Sequence, residues 1–279
     1  MKKFVLGLGA QKCGTSWLYD YFSKRDDFFD GFMKEYHIFD AENRGKIFDR
    51  FLRKSIGSLV SENPKNWSKD KQLLRLSMFI NIQNYYNYFF DNLKDKKKIF
   101  TADITPTYST LSPRILKNIK SNFEKRDIEV IPVFLMRDPV NRLRSQAKMK
   151  LRNPRKKATK SEELAEMRRL VGTREDNIRV DYSSTHDAIK KVFGEKSFFC
   201  LYEELFSNEQ IKKLCNLIDI PFVKPDFAFR VNESKSKNNI TKEDLMKFTP
   251  SYKKQYEFAI DLFGKEKIEE KWQNFNEKL

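Results

Sequence analysis

Phe4-Val-Leu-Gly-Leu-Gly-Ala-Gln-Lys-Cys-Gly-Thr-Ser-Trp17 runs from an apolar stretch through a glycine-bounded loop into a segment of helical spacing. Residues 4–8 are short and apolar, as in a buried strand. Trp17, Leu18, Tyr21 and Phe22 repeat on one helical face, which predicts a helix over 15–24. A strand, a loop and a helix in that order make an anion site, because loop amides and the helix N-terminus both direct positive charge at a ligand. Gly9 and Gly14 let the backbone close around an anion. Lys12 adds a full charge, and Thr15 and Ser16 offer hydroxyls as well as a helix cap. The G-x-x-x-x-G spacing matches a P-loop, which continues Lys-Ser/Thr. Here Thr15 follows Gly14 and the lysine stands inside the loop, so it addresses a different atom.

A second unit repeats the plan. Residues 129–136 read as a buried strand that turns at Arg137-Asp-Pro into a helix through 149. Ligands of open parallel sheets bind at the C-terminal strand ends, where Arg137 stands with a forked donor suited to phosphate. Ser145 lies about two helical turns further on. Further strands are expected at 99–103 and 198–202, and helices at 113–123, after 202 through 217, and between 241 and 272. Residues 44–98 look mostly helical and aromatic. Residues 150–178 are highly charged without a clean apolar period, which reads as exposed helix or loop. The alternation predicts an α/β protein: a P-loop-like three-layer fold with a central parallel sheet flanked by helices. It is expected to be one domain over 1–279, with 44–98 and 150–178 as insertions that shape an acceptor site.

Residues 12–17 resemble the 5′-phosphosulfate loop of the sulfotransferases that use 3′-phosphoadenosine 5′-phosphosulfate (PAPS), roughly K-x-G-T-[ST]-x. Residues 137–145 resemble that family's 3′-phosphate motif, R-[DN]-P-x-x-R-x-x-S. The resemblance implies that Lys12 contacts the 5′-phosphate and the bridging oxygen and stabilises the leaving phosphate. It implies that Gly14, Thr15 and Ser16 hold the 5′-phosphate with Cys13 in the same loop, that Trp17 stacks on adenine, and that Arg137 and Ser145 grip the 3′-phosphate. Lys34-Glu-Tyr-His-Ile-Phe39 is similar to the K-E-x-H-F-F element of the glycan-modifying branch. That makes Glu35 the catalytic base, with Lys34 near the sulfuryl group and His37 a rival base on the acceptor side. Asp103-Ile-Thr-Pro-Thr-Tyr108 resembles E-K-[ST]-P-x-Y, with Thr105 and Tyr108 toward the acceptor, but Ile104 replaces the family's lysine. Tyr202-Glu-Glu-Leu resembles Y-E-D-L, which implies that Tyr202 is among the nucleotide-binding residues. Residues 232–238 resemble the late basic loop over the nucleotide, which points to Lys235, Ser236 and Lys237. The implied activity is sulfuryl transfer from PAPS to a hydroxyl or amine, on a carbohydrate by the branch, leaving 3′-phosphoadenosine 5′-phosphate (PAP) and needing no metal.

Composition is compatible with this. A content of 39% hydrophobic residues with 25 Phe excludes a disordered chain. A net charge of +16 favours anionic partners, although a lysine-rich solvated surface would give the same figure. Cys13, Cys200 and Cys215 form no framework or metal spacing, as in a reducing compartment. No run approaches the roughly 20 apolar residues of a membrane span. A cytoplasmic bacterial or viral protein is expected, without a nucleic-acid partner. Two other classes stay open. A P-loop kinase or NTPase would need a lysine after Gly14 and a Mg²⁺ carboxylate such as Asp103. A basic nucleic-acid-binding module would leave both loop units unexplained. His186, the other histidine, is expected on a helix surface.

Overall fold

The computed structural model describes residues 1–40, 69–153, 155–228 and 238–275. Five strands form one parallel sheet: β1 (Lys2–Gly7), β2 (Phe28–Phe29), β3 (Phe100–Ile104), β4 (Ile128–Met136) and β5 (Phe198–Leu201). Their order is β2-β3-β1-β4-β5. Parallel strands are buried on both sides, and β4 shows it by being almost wholly apolar, while β3 is fully buried with Thr101 and Asp103 among its five residues. Pro132 is tolerated inside β4 because β5 pairs only with Val133 to Met136, so the missing amide empties no ladder bond on that side.

The helices are α1 (Thr15–Ser23), α2 (Lys69–Ile80), α3 (Ile82–Asn92), α4 (Pro113–Glu124), α5 (Pro139–Lys150), α6 (Lys160–Leu170) and α7 (Arg174–Arg179). They continue with α8 (Tyr182–Phe193), α9 (Tyr202–Leu205), α10 (Asn208–Ile218), α11 (Lys242–Met246), α12 (Lys253–Phe263) and α13 (Lys265–Lys271). Side-chain alternation assigns the layers. Phe100 faces α1, with Phe22 5.2 Å from it edge-on. Phe4, one register step away, faces the other side and meets Phe89 of α3 at 4.9 Å and Phe123 of α4 at 4.1 Å. Helices therefore cover both faces, and the expected three-layer α/β architecture is what the chain adopts.

The connectivity locates the crevice. From β3 the chain crosses over β1 and lays down β4 on its far side, so the loops after β1 and β4 leave neighbouring strands at one sheet edge. Pairing continues past β1: Leu8 and Ala10 donate to the carbonyls of Val133 and Leu135, and Leu135 donates back to Gly9. This extension carries the first loop alongside the end of β4 and brings it to Arg137.

Two expectations change. The charged stretch 150–178 contains α6 and α7, each with a fully buried carboxylate, Glu163 and Asp176. His186 lies on α8 as expected but is half-buried, its ring packed on Phe199 at 4.7 Å and Phe258 at 5.4 Å. Within 44–98, residues 69–92 are helical as expected and 44–68 lie outside the described residues.

Candidate active site

The first loop closes on α1 through Gly14, whose φ of 91° belongs to the left-handed region. A Cβ there would meet Leu205 at 2.9 Å and Tyr202 at 3.0 Å, so only glycine fits between the loop and α9. Lys12 also has a positive φ, 71°. Burial and the charges of Arg152, Arg137 and Lys34 lower its pKa. Four cations thus converge on one loop. Among the described residues, no carboxylate bonds Lys12.

Arg137 ties the two loops together. Its Nη1 donates to the Lys12 carbonyl at 3.2 Å, and its guanidinium lies 4.2 Å above the Tyr202 ring. Its own carbonyl accepts from the Tyr182 hydroxyl at 2.9 Å. Its Nε is buried without a partner. A buried unsatisfied donor costs about 1–3 kcal/mol, so this edge of the fork is poised for an acceptor. Asp138 behind it caps α5 through Val140 and Asn141, and also accepts both nitrogens of Asn274 and the Tyr256 hydroxyl. Ser145 is half-buried on α5.

Lys34 reaches the start of α1. Its Nζ donates to Thr15 Oγ1 at 3.3 Å, Ser16 Oγ at 3.2 Å and Glu35 Oε1 at 2.7 Å. Glu35 Oε2 lies 3.4 Å from His37 Nε2, and His37 Nδ1 lies 2.6 Å from Asp40 Oδ2. Thr107 donates to the same Asp40 oxygen at 2.8 Å. Burial pushes Glu35 up, but His37 and Lys34 outweigh it and hold the carboxyl at about 2. Burial lowers His37 in turn, and its bonds to Asp40 and Glu35 raise it above the usual imidazole range.

Thr105 and Tyr108 are fully buried, and both donate to Asp103. Asp103 also accepts from the Tyr36 amide and the Tyr85 hydroxyl, so both oxygens are occupied. Burial raises its pKa to about 6. Ile104 is buried against Gly7, where a Cβ would come within 2.6 Å of it. Trp17 is buried beside Tyr21, Phe206 and Phe227 at 6.0, 5.0 and 5.8 Å. The Cys13 side chain is fully buried, and that burial pushes its thiol up to about 12. Lys235, Ser236 and Lys237 lie outside the described residues. Among the described residues, no three His, Cys, Asp or Glu side chains form a metal-holding group, and no helix is long and apolar enough to cross a membrane.

Sequence reasoning missed Asp40, Thr107, Arg152 and Glu203. An Asp three residues after His37 was the available signal for the first. Glu203 accepts from Trp272 Nε1 at 3.1 Å, and burial raises it to about 7 against the pull of Arg137. Its folded pKa exceeds the unfolded value, so its contribution to stability is present below about 4.5 and lost as pH rises through about 7. Glu203→Gln keeps an acceptor for Trp272 and removes the titration. The melting temperature of the variant minus that of wild type is expected to grow from pH 5 to pH 8. A constant difference would refute the assignment.

No family model and no curated protein matches the sequence. Among solved structures, a sulfotransferase from Alicyclobacillus acidocaldarius superimposes with a TM-score of 0.51 at 20% identity, over 92% of this chain and 94% of that one. The chain has the fold of a sulfotransferase. A sulfotransferase domain from the olefin synthase of Synechococcus PCC 7002 also aligns, at 12% identity and a TM-score of 0.46, over 90% of this chain and 94% of that one.

Proposed function

We propose that this chain transfers a sulfuryl group from PAPS to a hydroxyl or amine, with a carbohydrate hydroxyl as the acceptor class. The observation that carries the reading is Arg137: it holds the first loop through the Lys12 carbonyl while its buried Nε has no partner. A nucleotide with phosphates at both the 5′ and 3′ positions fits such a pair of linked loops. PAPS, when bound, supplies an activated sulfuryl group on a phosphate leaving group.

The chain's own residues perform the rest. Lys12, with Gly14, Thr15 and Ser16, receives the 5′-phosphate and stabilises the negative charge that develops on the bridging oxygen. Lys34, already on Thr15 and Ser16, adds a second cation beside the base. Arg137 and Ser145 take the 3′-phosphate. Glu35 takes the acceptor proton as its oxygen or nitrogen attacks, and His37, Asp40 and Thr107 hold Glu35 in place. The charge of Arg152 also acts on Lys12. A P-loop NTPase reading would ask Asp103 to hold a cation through solvent, but four donors engage it and none of it is exposed.

Calorimetry with PAP tests the donor site. Wild type is expected to bind PAP in preference to ADP, and Arg137→Ala to weaken PAP by about 10- to 100-fold, the worth of a charge-assisted phosphate contact. Equal affinity for PAP and ADP would refute the reading.

A further inference from the structure

Arg75 lies within α2, in a stretch for which the sequence offers no motif, and is only 5% exposed. Its Nε and Nη2 donate to one atom, the Tyr36 carbonyl oxygen, at 3.2 and 2.9 Å. Its guanidinium rests 5.3 Å from the centre of the Phe79 ring, about one helical turn on. Tyr36 separates Glu35 from His37 in the chain. A buried cation carried by α2 is thus fastened to the peptide between the proposed base and its histidine.

We propose that Arg75 is a positioning residue for the base: it fixes the Tyr36–His37 peptide plane, and through it the contacts of His37 with Glu35 and Asp40. The inference rests on the reading of Glu35 as the base. The segment is held at every second residue. The Lys34 carbonyl accepts from the Ile104 amide at 2.9 Å, the Tyr36 amide donates to Asp103 at 3.3 Å, and the Ile38 amide donates to the Tyr108 hydroxyl at 2.9 Å. The Tyr36 amide bond fixes the peptide unit before Tyr36. The Tyr36 carbonyl belongs to the next unit, which is planar with the His37 nitrogen, so turning that unit changes the φ of His37. That φ is 58°, in the left-handed region that a residue with a Cβ seldom keeps unless its surroundings impose it. Arg75 grips this unit from the carbonyl side. Once the grip is released, the unit can turn toward negative φ, and the imidazole swings off Asp40 and Glu35.

Position and charge can be told apart here. Glu35 and Asp40 bond the His37 ring, the Thr107 hydroxyl lies 3.3 Å from its Nδ1, and Lys34 bonds Glu35. Asp103 lies on the Tyr36 amide, and its charge acts on Arg75, as does that of Asp40. Removing the Arg75 charge would raise the pKa of His37, whereas loosening the two bonds to Tyr36 would lower it. Arg75→Lys separates the two effects. Lysine keeps the charge but has no rigid edge of two nitrogens to close on one oxygen.

Proton NMR of the imidazoles tests the inference, because His37 and His186 are the chain's two histidines. In wild type, His37 is expected to titrate above pH 6.5, the ordinary imidazole value. In Arg75→Lys its titration is expected to fall back toward 6.5, with that of His186 unmoved. PAP affinity, read by calorimetry, is expected to stay within about twofold of wild type, since the substitution is remote from both phosphate loops. Met78→Ala is the control for general loosening. It truncates a fully buried residue of the same helix and leaves the Arg75 bonds in place. It is expected to lower the melting temperature and to leave the His37 titration at its wild-type position. An unchanged His37 titration in Arg75→Lys, or an equal fall in Met78→Ala, overturns the inference while the donor site stands. If wild type shows no PAP affinity, the donor-site reading fails, and the His37 titration still decides whether Arg75 holds this peptide.

Discussion

Glu35→Gln is expected to slow sulfuryl transfer by about 10²- to 10⁴-fold, the contribution of a positioned general base. PAP binding is expected to survive, because Glu35 reaches the first loop only through Lys34. The pH profile separates this carboxylate from an ordinary one. With a pKa held at about 2, Glu35 is ionised throughout the working range, so its own titration cannot produce an acid limb near pH 4.5. His37 sits between Glu35 and Asp40 and its pKa is raised. Below that pKa the ring is a cation on the base, and Glu35 is a weak proton acceptor. As pH rises through it the cation is lost, Glu35 becomes more basic and transfer accelerates. The acid limb is therefore expected above pH 6.5, the ordinary imidazole value, and is expected to disappear in His37→Asn. The measurement is label moving from PAPS to an acceptor at a series of pH values. A limb centred near 4.5 that persists in His37→Asn would show that Glu35 titrates alone.

The parts of the fold that could be read from the sequence are those where apolar periodicity and phosphate chemistry coincide. β1 with its loop, and β4 with Arg137, are apolar strands that end in groups with little structural use elsewhere. What stayed hidden had other physics. β2 is two residues long and leaves no period to detect. The stretch 150–178 looked like surface because its inward positions include charged residues. Glu163 is buried, and accepts from Arg144 at 2.6 Å and from Asn238 at 2.8 Å. Asp176 is buried on the other short helix. A reading based on apolar spacing cannot see a helix whose buried side is ionic. The site divided in the same way. Lys12, Lys34, Glu35 and Arg137 stand in recognisable local patterns. Tyr202 stands in the Y-E-D-L-like element, and the sheet order brings it to Arg137, whereas Arg152 acts on Lys12 from beyond the far end of α5, where no local pattern announces it.

Asp176→Ala is expected to lower the unfolding free energy by about 3–5 kcal/mol, the cost of stranding one member of a buried ion pair. Asp176 pairs with Arg142 Nη2, and neither side chain has any exposure. The same carboxylate accepts from the Tyr252 hydroxyl at 2.7 Å and the Gly172 amide at 3.1 Å. Arg142 has one other acceptor, Gln146 Oε1 at 2.8 Å, and its Nε is already unpartnered. Losing Asp176 would leave a cation with almost nothing to balance it in a dry interior. Arg142→Met combined with Asp176→Leu removes both charges. That pair is expected to cost well below the sum of the single variants, although Tyr252 and Gly172 still lose their acceptor. Urea midpoints at constant slope measure all three proteins. A double variant as unstable as the sum would mean that packing, not the stranded charge, sets the cost. The consequence reaches the donor site, because Arg142 lies on α5 between Arg137 and Ser145. Asp176 belongs to a segment whose sequence reads as exposed helix or loop, yet it anchors the helix that follows Arg137 and carries Ser145, the two residues proposed to take the 3′-phosphate. Partial loss of this anchor is therefore expected to weaken PAP before it unfolds the chain.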